Sequence, residues 1–538
     1  MTGTMKRVAL AVGVTLGGLS LAPTAGAVSV SANNLGQALI FPYYTVRGGW
    51  TTLFGVTNTS NQVVAVKVRF REAYNSRDVF DFNLILSPYD LWTAWVTDSP
   101  NGPVIRTEDS SCTVGNIVGT GATGVTFPAP VSYVGAFADG GPTTVDRMRE
   151  GYVEMIMMGA SPGTPSAVFP LAAGAIHGST TGTPPGCAAL VSAFQNPALL
   201  GSYGACPTGT SAVSGVSGTL RGEFCNYATS DTAATLPLQP LKGTYALVNG
   251  AKGFNAVGLP VALQNFRNTG AMTLQLDSVG AVAFNDSWHE PSLNSATDTG
   301  YQFLPTPTAT DPGTLTIIIN GGNGVTGALM HTNVINEWSR RSNPAAGWVT
   351  ATDWVLTFPT KNFFVDNDPG NRYAGRNTGR GNAACAVPAP GCVGPGPAEP
   401  LPFTQTFVDT SVSPAVRRGS SCDAISLTLR DREERASAGL GFSPGASPQL
   451  CYEANVLTFN QGLILNSPIA GNVIYNDPFL FGWMNIGLTT MINGSPLGTN
   501  LGLPVVGFAI TSRDDSATAL LSEAALYDHS YISFGSGN

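Results

Sequence analysis

The residues in this chain that could carry chemistry are few and scattered. Gly441-Phe-Ser443-Pro-Gly445 matches the GxSxG elbow, which holds a nucleophilic serine between a strand and a helix. Pro444 deletes the amide next to the serine, which is the amide that an oxyanion hole uses, and the following residues show no helical pattern. We therefore interpret the stretch as a surface turn and not as a hydrolase site.

Two stretches match the GxGxxG pattern of a dinucleotide-binding loop, residues 119–124 and 322–327. The second follows a predicted strand at Leu315 to Ile319 and precedes a predicted helix, as such a loop requires. The next ~20 residues, however, contain no second parallel strand ending in an acid that could hold the ribose. In a chain with 64 glycines the pattern indicates turns, and we expect no cofactor.

The histidines also give little indication of a catalytic or metal site. The four are His177, His289, His331 and His529, all distant from one another in sequence. Trp288-His289-Glu290 and Asp528-His529 put carboxylates beside imidazoles, but neighbours on a strand point to opposite faces. The sequence therefore predicts no catalytic residue.

Asp366 and Asp368 offer oxygen ligands for Ca²⁺ in a turn that ends in Pro369-Gly370. The later glutamate of an EF-hand loop is missing. An ordinary Asx turn is the favoured interpretation, so we predict no metal ligand and leave Ca²⁺ at this turn as an open alternative.

The eight cysteines are Cys112, Cys187, Cys206, Cys225, Cys385, Cys392, Cys422 and Cys451. Their number is even, and no CxxC pair or nearby histidine suggests zinc. We expect disulfides between Cys422 and Cys451 and between Cys385 and Cys392, because each pair brackets one loop next to predicted strands. The pairing of the first four cysteines stays open.

Residues 1–27 have the pattern of a secretory signal peptide. Lys6 and Arg7 precede an uncharged apolar run from Val8 to Leu21, and Ala25-Gly26-Ala27 supplies a cleavage site. The run is shorter than the ~20 residues that a membrane-spanning helix needs. We expect cleavage after Ala27 and a mature protein with no transmembrane segment, secreted or on the outer cell surface, with the periplasm as the alternative.

Charge excludes one class of partner. Without Lys6 and Arg7 the net charge is near -10, and the clustered bases that bind nucleic acid are absent. Only 11% of the residues are charged, against the usual ~25%. Such a surface is typical of extracellular β-proteins and surface-layer subunits, although some secreted enzymes share it.

The elements that would position any site are mostly strands. Residues 51–96 predict four consecutive strands, and in the second of them Val64, Val66, Val68 and Phe70 alternate with Lys67, Arg69 and Arg71. This is the pattern of one buried and one wet face. If this strand pairs with the next as a hairpin, its bases lie opposite Asp81. Trp92 and Trp95 point to opposite faces of the fourth strand, so one should be buried and the other partly exposed.

Many short strands separated by Gly/Pro turns predict an all-β fold, an antiparallel β-sandwich of Ig-like or jelly-roll-like type with long Gly/Pro loops and one or two short helices. We expect one helix at Gly327 to Arg340, where Met330, Val334 and Trp338 are spaced by four, and a short one at Ala188 to Phe194. The predicted organisation is a signal peptide at 1–27, sandwich strands at 28–160, an irregular cysteine-containing excursion at 161–240, and remaining strands at 241–538 that form the same sandwich or a second one.

Several stretches together resemble a family of secreted proteobacterial proteins described only as hypothetical or cell-surface proteins. They are LIFPYYTVRGGWTTLFGVTNTS, FREAYNSRDVFDFNLILSPYDLWTAWV, TDWVLTFPTKNFFVD, and GWMNIGL with LPVVGFAI. The resemblance touches both ends and the middle of the mature chain. It implies an extracellular or outer-surface location and no reaction.

We therefore expect a secreted structural or self-associating protein of the cell surface without catalytic activity, a component of the envelope or of its own assemblies. Lysine is scarce, with five in the whole chain, whereas soluble monomers often protect their sheet edges with lysine. Either the sheets are closed, or loops and proline cover the edges, or the edges meet other copies of the chain; the last of these fits self-association. The alternative is a carbohydrate-binding or adhesive module in which Trp92 or Trp95 forms a sugar platform. A secreted hydrolase is the third class.

Overall fold

A computed structural model of the chain describes residues 28–115, 117, 123–127, 141–161, 170–195, 224, 238–266, 293, 321–343, 347–362, 402–403, 408–409, 416–417, 422–437, 440–443, 447–475, 479–492, 495–496, 501–515 and 522–533. The strands before residue 265 are β1 Ser29–Val30, β2 Ala38–Thr45, β3 Thr51–Asn58, β4 Val64–Glu72, β5 Asp78–Leu86, β6 Leu91–Thr97, β7 Val104–Arg106, β8 Cys112–Val114, β9 Val125–Thr126, β10 Glu150–Ala160, β11 Leu241–Asn249, β12 Phe254–Gly258 and β13 Val261–Gln264.

The later strands are β14 Met330–His331, β15 Asn333–Ser339, β16 Arg341–Asn343, β17 Trp348–Thr357, β18 Val408–Asp409, β19 Val416–Arg417, β20 Asp423–Asp431, β21 Gly441–Ser443, β22 Gln449–Leu450, β23 Ala454–Phe459, β24 Gly471–Ile474, β25 Phe481–Leu488, β26 Met491–Ile492, β27 Ser495–Pro496, β28 Leu503–Pro504, β29 Val506–Asp515, β30 Glu523–Asp528 and β31 Ser530–Ile532. The described helices are α1 Pro170–Gly174, α2 Cys187–Gln195 and α3 Gly321–Ala328, with 3-10 turns at Arg47–Gly49 and Val145–Arg149.

Four sheets hold most of these strands. Sheet A has the order β1-β13-β2-β10-β4-β5-β8, and sheet B has the order β12-β11-β3-β6-β7-β9. Sheet C has the order β22-β20-β25-β15-β31, and sheet D has the order β21-β24-β23-β17-β29-β30 with β16 beside β17. Neighbouring strands are antiparallel except β23 and β24. The predicted all-β class with antiparallel sheets is confirmed.

Sheets A and B pack face to face through aromatic side chains. Phe54 of β3 lies with its ring centre 5.4 Å from that of Phe41 and 5.6 Å from that of Phe70, both on sheet A. The valines of β4 that alternate with its bases join the same buried cluster. The alternation therefore buries one face of sheet A against sheet B.

Strands β11 to β13, which follow much later in the chain, complete this first sandwich. β11 pairs with β3, and β13 pairs with β2. The helix α2, which lies between β10 and β11 in the sequence, is tied to β8 by a disulfide between Cys112 and Cys187.

Sheets C and D form a second layered unit that shares its core with the first. Trp338 of sheet C stacks on Phe459 of sheet D at 5.6 Å. Tyr245 of sheet B contacts Phe508 of sheet D, with ring centres 6.0 Å apart. The Thr357 hydroxyl also donates to the Pro42 carbonyl at 2.6 Å. The two halves are therefore joined by buried apolar and polar contacts.

The helix expected at Gly327 to Arg340 is wrong. Only α3 is helical there, and it ends at Ala328, whereas β15 pairs along its length with β25. Val334 and Trp338 are both buried. A spacing of four fits one face of a helix and also one face of a strand, because four is a multiple of the strand period of two.

The prediction that one face of β4 is exposed to water is also wrong. Lys67, Arg69 and Arg71 are fully buried, although Arg69 does pair in register with Asp81 as predicted. Ile40 and Tyr152, on neighbouring strands of sheet A, belong to the hydrophobic cluster that includes sheets C and D. The outer side of sheet A is therefore covered by other parts of the chain.

Candidate binding face

The outer side of sheet B carries a row of five side chains, each opposite the next on a neighbouring strand. Its members, called the apolar row, are Val257, Ala246, Leu53, Trp95 and Arg106, on β12, β11, β3, β6 and β7. Val257 is 61% exposed and Leu53 is 39% exposed. Ala246, Trp95 and Arg106 are partly exposed. Four apolar residues and one terminal cation therefore cross the sheet in a line.

The next row along the strands is small and polar. Gly55 lies between Thr93 and Thr244, which are both exposed. A Cβ atom on Gly55 would lie 2.9 Å from the Thr244 hydroxyl oxygen and 3.8 Å from Leu91 Cδ1. The neighbouring side chains thus occupy the space above the glycine, and this part of the face stays level.

Trp92 and Trp95 take the two roles that their spacing predicts. Trp92 is buried against Phe82, with ring centres 5.7 Å apart. Trp95 lies on the outer side in the apolar row, and Arg106, opposite it, donates to the Thr97 hydroxyl. The sequence predicted that the two side chains point to opposite faces of the strand. It did not predict which of them is buried.

This face has the chemistry of a contact surface. Contiguous exposed apolar residues on a soluble protein mark sites of association or ligand binding. Row residues offer no carboxylate, imidazole or thiol, so proton transfer and nucleophilic attack have no group to act there.

The bases of sheet A form a buried ionic layer instead of a site. Arg71 Nε lies 2.7 Å from Glu154 Oε1, and Lys67 Nζ lies 2.9 Å from Asp81 Oδ1. Arg147, in the 3-10 turn at Val145–Arg149 beside the sheet, pairs through its Nε with Glu72 Oε2 of β4 at 3.0 Å. Burial requires such pairing, because an unpaired charge costs several kcal/mol. The bases have no exposed surface with which to meet a substrate.

A Ser–His–Asp cluster exists at the end of β5. His177 Nδ1 lies 3.0 Å from Ser87 Oγ and 3.6 Å from Asp90 Oδ2. The same imidazole nitrogen faces both partners, whereas a catalytic relay needs one nitrogen on the serine and the other on the carboxylate. Asp90 also accepts from the Ser87 amide at 2.9 Å. The cluster therefore stabilises the turn between β5 and β6.

Two histidines that are far apart in the sequence both lie next to Tyr531. The sequence analysis did not predict this proximity. The His331 ring stacks on Tyr531 at 4.2 Å, and the His529 ring lies 6.2 Å from it. Burial lowers the pKa of each imidazole to about 4. His331 Nδ1 is 3.0 Å from Ser533 Oγ, but so weak a base does not activate a hydroxyl at neutral pH.

Two further sequence motifs that fall within the described residues supply no site. Ser443 is exposed at the end of the three-residue edge strand β21. The glycines of the 322–327 pattern lie within α3, not in a loop before it. Within the described part of the chain, no group of three acidic, histidine or cysteine residues could hold a metal ion.

Several predicted features lie outside the described residues: the signal peptide, Gly119 and Gly121, Cys206, Cys225, His289, the strand at 315–319, Asp366, Asp368 and the pair Cys385 and Cys392. The pair Cys422–Cys451 is a disulfide, as predicted. Disulfides form and persist in oxidising compartments. No helix among the described residues is long and apolar enough to cross a bilayer.

Asp353 is a buried carboxyl on β17 that holds a loop of sheet D. Its Oδ2 accepts from the amides of Ile464 and Leu465 at 2.7 and 2.8 Å. The Ile464 carbonyl in turn accepts from Trp50 Nε1 at 3.0 Å. Burial raises the pKa of Asp353 to about 7, against the opposing effect of those amide hydrogen bonds.

Glu453 lies at a second junction between the halves. Its amide donates to the Ala73 carbonyl at 2.9 Å, and its carbonyl accepts from the Phe358 amide at 2.6 Å. Burial raises the pKa of its side chain to about 8, although Lys361 and the Ser76 hydroxyl act in the opposite direction. A titratable group therefore lies where N-terminal and C-terminal segments meet.

Comparisons with known proteins place the chain in no group: no protein-family model, no curated protein and no solved structure matches it.

Proposed function

We propose that the chain is a secreted, non-catalytic protein of the cell surface that works by associating with copies of itself. The observation that carries this proposal is the apolar row on the outer side of sheet B. Apolar residues on four adjacent strands, β12, β11, β3 and β6, are exposed or partly exposed there. They lose contact with water when a partner covers them, and this burial favours association.

The sheet edges direct association to that face. Among the described strands, β1, β8, β9, β21, β22 and β31 are edges of only two or three residues. The longer edges β12 and β30 lie against each other. Short or covered edges are poor templates for adding a strand of another chain, so we assign the association to a sheet face and not to an edge.

Secretion is part of the same proposal. The signal-like residues 1–27, the two disulfides within the described part of the chain and the resemblance to secreted cell-surface proteins support it. Only 11% of the residues are charged, so few charged side chains lose their hydration when two copies pack together.

Carbohydrate binding is the second candidate, and Trp95 favours it. A partly exposed indole beside threonine hydroxyls can hold one sugar ring. The other apolar residues of the row are aliphatic, however, so the face presents no series of aromatic platforms for a polysaccharide. We therefore rank this candidate second.

Sedimentation velocity of the purified mature protein over a concentration series tests the proposal. We expect the mean sedimentation coefficient to rise with concentration, without any added ligand. A single monomeric species at every concentration would contradict it. In that case, retention on insoluble polysaccharide that is lost in Trp95→Ala would support the carbohydrate-binding candidate.

A further inference from the structure

We infer that Lys361 and Asp423 condense into a side-chain amide bond, which is an intramolecular cross-link between sheet C and sheet D. Lys361 follows β17 of sheet D, and Asp423 is the first residue of β20 in sheet C. The inference concerns the covalent structure of the chain itself, so it does not depend on the proposed self-association.

The two reacting side chains are in contact and shielded from water. Lys361 Nζ lies 2.9 Å from Asp423 Oδ2, and the side chains are 1% and 0% exposed. This is the separation of two reactants in contact before a bond joins them. Groups held together in this way react far faster than the same groups free in solution, because the entropy of bringing them together is lost on folding.

The surroundings of the pair are apolar. The ring centres of Phe358 and Phe403 lie 5.6 and 5.5 Å from Lys361 Nζ, and both rings are buried. Burying an ion pair costs the hydration of both charges. Moving one proton from the ammonium to the carboxylate removes both charges and leaves an amine and a carboxylic acid, which are the forms that condense.

A second carboxyl, that of Glu453, is held beside the pair. Its carbonyl accepts from the amide of Phe358, three residues before Lys361, at 2.6 Å. The disulfide Cys422–Cys451 also ties the segment before Glu453 to the residue before Asp423. Burial raises the pKa of the Glu453 carboxyl to about 8, and the nearby charge of Lys361 opposes that effect. Glu453 therefore carries a proton at neutral pH and can transfer it.

The reaction needs no other reagent. The nitrogen of Lys361 attacks the carboxyl carbon of Asp423, and a C–N bond forms. Glu453 donates its proton to the departing hydroxyl and takes one from the nitrogen, so it ends as it began. The C–O bond breaks and one water molecule leaves, with no change of oxidation state.

A permanent ion pair is the alternative explanation of this contact, and the composition of the cluster favours the bond. One buried lysine lies beside two buried carboxyls, whereas an ion pair requires only one. The amide is neutral, so forming it removes the cost of keeping two charges in an apolar site. The water needed to reverse the reaction has no access to these buried groups.

Tandem mass spectrometry of a tryptic digest of the purified, reduced protein tests the inference. We expect a branched peptide in which Lys361 is joined to Asp423, lighter than the two separate peptides by one water molecule. Trypsin should not cut after Lys361, because its side chain no longer carries a charge. Finding only the two separate peptides, with cleavage after Lys361, would overturn the inference. This measurement uses the wild-type protein, so it does not depend on whether a variant folds.

Glu453→Gln tests the role of the second carboxyl. The variant keeps the size of the side chain and the Lys361–Asp423 contact but has no proton to transfer. Such transfer ordinarily speeds a reaction by roughly 10²–10⁴-fold, so freshly purified variant should contain little of the branched peptide. The exposed Glu523→Gln should be cross-linked like the wild-type protein. A folded Glu453→Gln protein, checked by circular dichroism, that is fully cross-linked would overturn the role given to Glu453.

Discussion

At the scale of single residues, Glu453 gives the clearest pH dependence. Its carboxyl has a pKa of about 8 in the folded protein, against 4.5 as an ordinary value, chiefly because it is buried. The folded state therefore holds a proton that the unfolded chain releases between these two values. This contribution to stability is fully present below about pH 4.5, declines as the pH rises to about 8, and is constant above that.

We predict that Glu453→Gln, made in a Lys361→Met background in which no cross-link can form, stabilises the protein above neutral pH, because a neutral amide loses no proton there. The gain in free energy of unfolding should grow from near zero at pH 4.5 to a few kcal/mol, on the order of one per pH unit, by pH 8. Urea denaturation across this range measures it. The exposed Glu523→Gln should show no such trend, and a Glu453→Gln gain that is the same at pH 5 and pH 8 would contradict the assignment.

For β4, the sequence predicted the strand but not the burial of its basic side chains. The alternation of valines and bases correctly indicated a strand and the opposition of Arg69 to Asp81. It could not reveal that the basic face is buried, because the residues that share that side of sheet A in the second cluster, such as Leu356 and Phe358, come from almost 300 positions later. Arginine in a strand has the same local pattern whether solvent or another part of the chain covers it.

At the scale of elements, the disulfide Cys422–Cys451 fixes the edge of sheet C. It flanks the pairing of β20 with β22, in which Asp423 lies opposite Leu450. The bond closes a loop with a sequence separation of 29, so the unfolded chain loses much of its freedom.

We predict that the double variant Cys422→Ala/Cys451→Ala lowers the free energy of unfolding by roughly 3 to 4 kcal/mol. Thermal and urea denaturation of the variant and the wild-type protein measure the loss. Non-reducing peptide mapping of the wild-type protein should give one peptide that links the two cysteines. Free thiols at both positions would contradict the pairing.

Element types were predictable where one period dominated. The four strands of residues 51–96 match β3 to β6, and the short helix at 188–194 matches α2. The prediction failed at 327–340 because the spacing of Val334 and Trp338 fits two periods. The apolar row could not be predicted from the sequence. Its members come from positions 53 to 257 and become neighbours only when β11 pairs with β3.

At the scale of the whole molecule, a core shared by both halves of the chain contrasts with one exposed sheet face. Both hydrophobic clusters draw residues from the first and last parts of the chain, so the halves are expected to behave as one body. Sheet B keeps its outer side exposed at Leu53, Leu91 and Val257. That contrast between a buried sheet A and an exposed sheet B directs the functional proposal to sheet B.

The most direct test compares Leu53→Asp with the wild-type protein by sedimentation velocity over the same concentration series. An aspartate at the centre of the apolar row would lose its hydration on association without gaining a partner. We predict a monomer at concentrations where the wild-type protein associates, whereas Val349→Asp, on an exposed strand position of sheet D, associates normally. Unchanged association of a folded Leu53→Asp protein would contradict the claim that this face joins the copies.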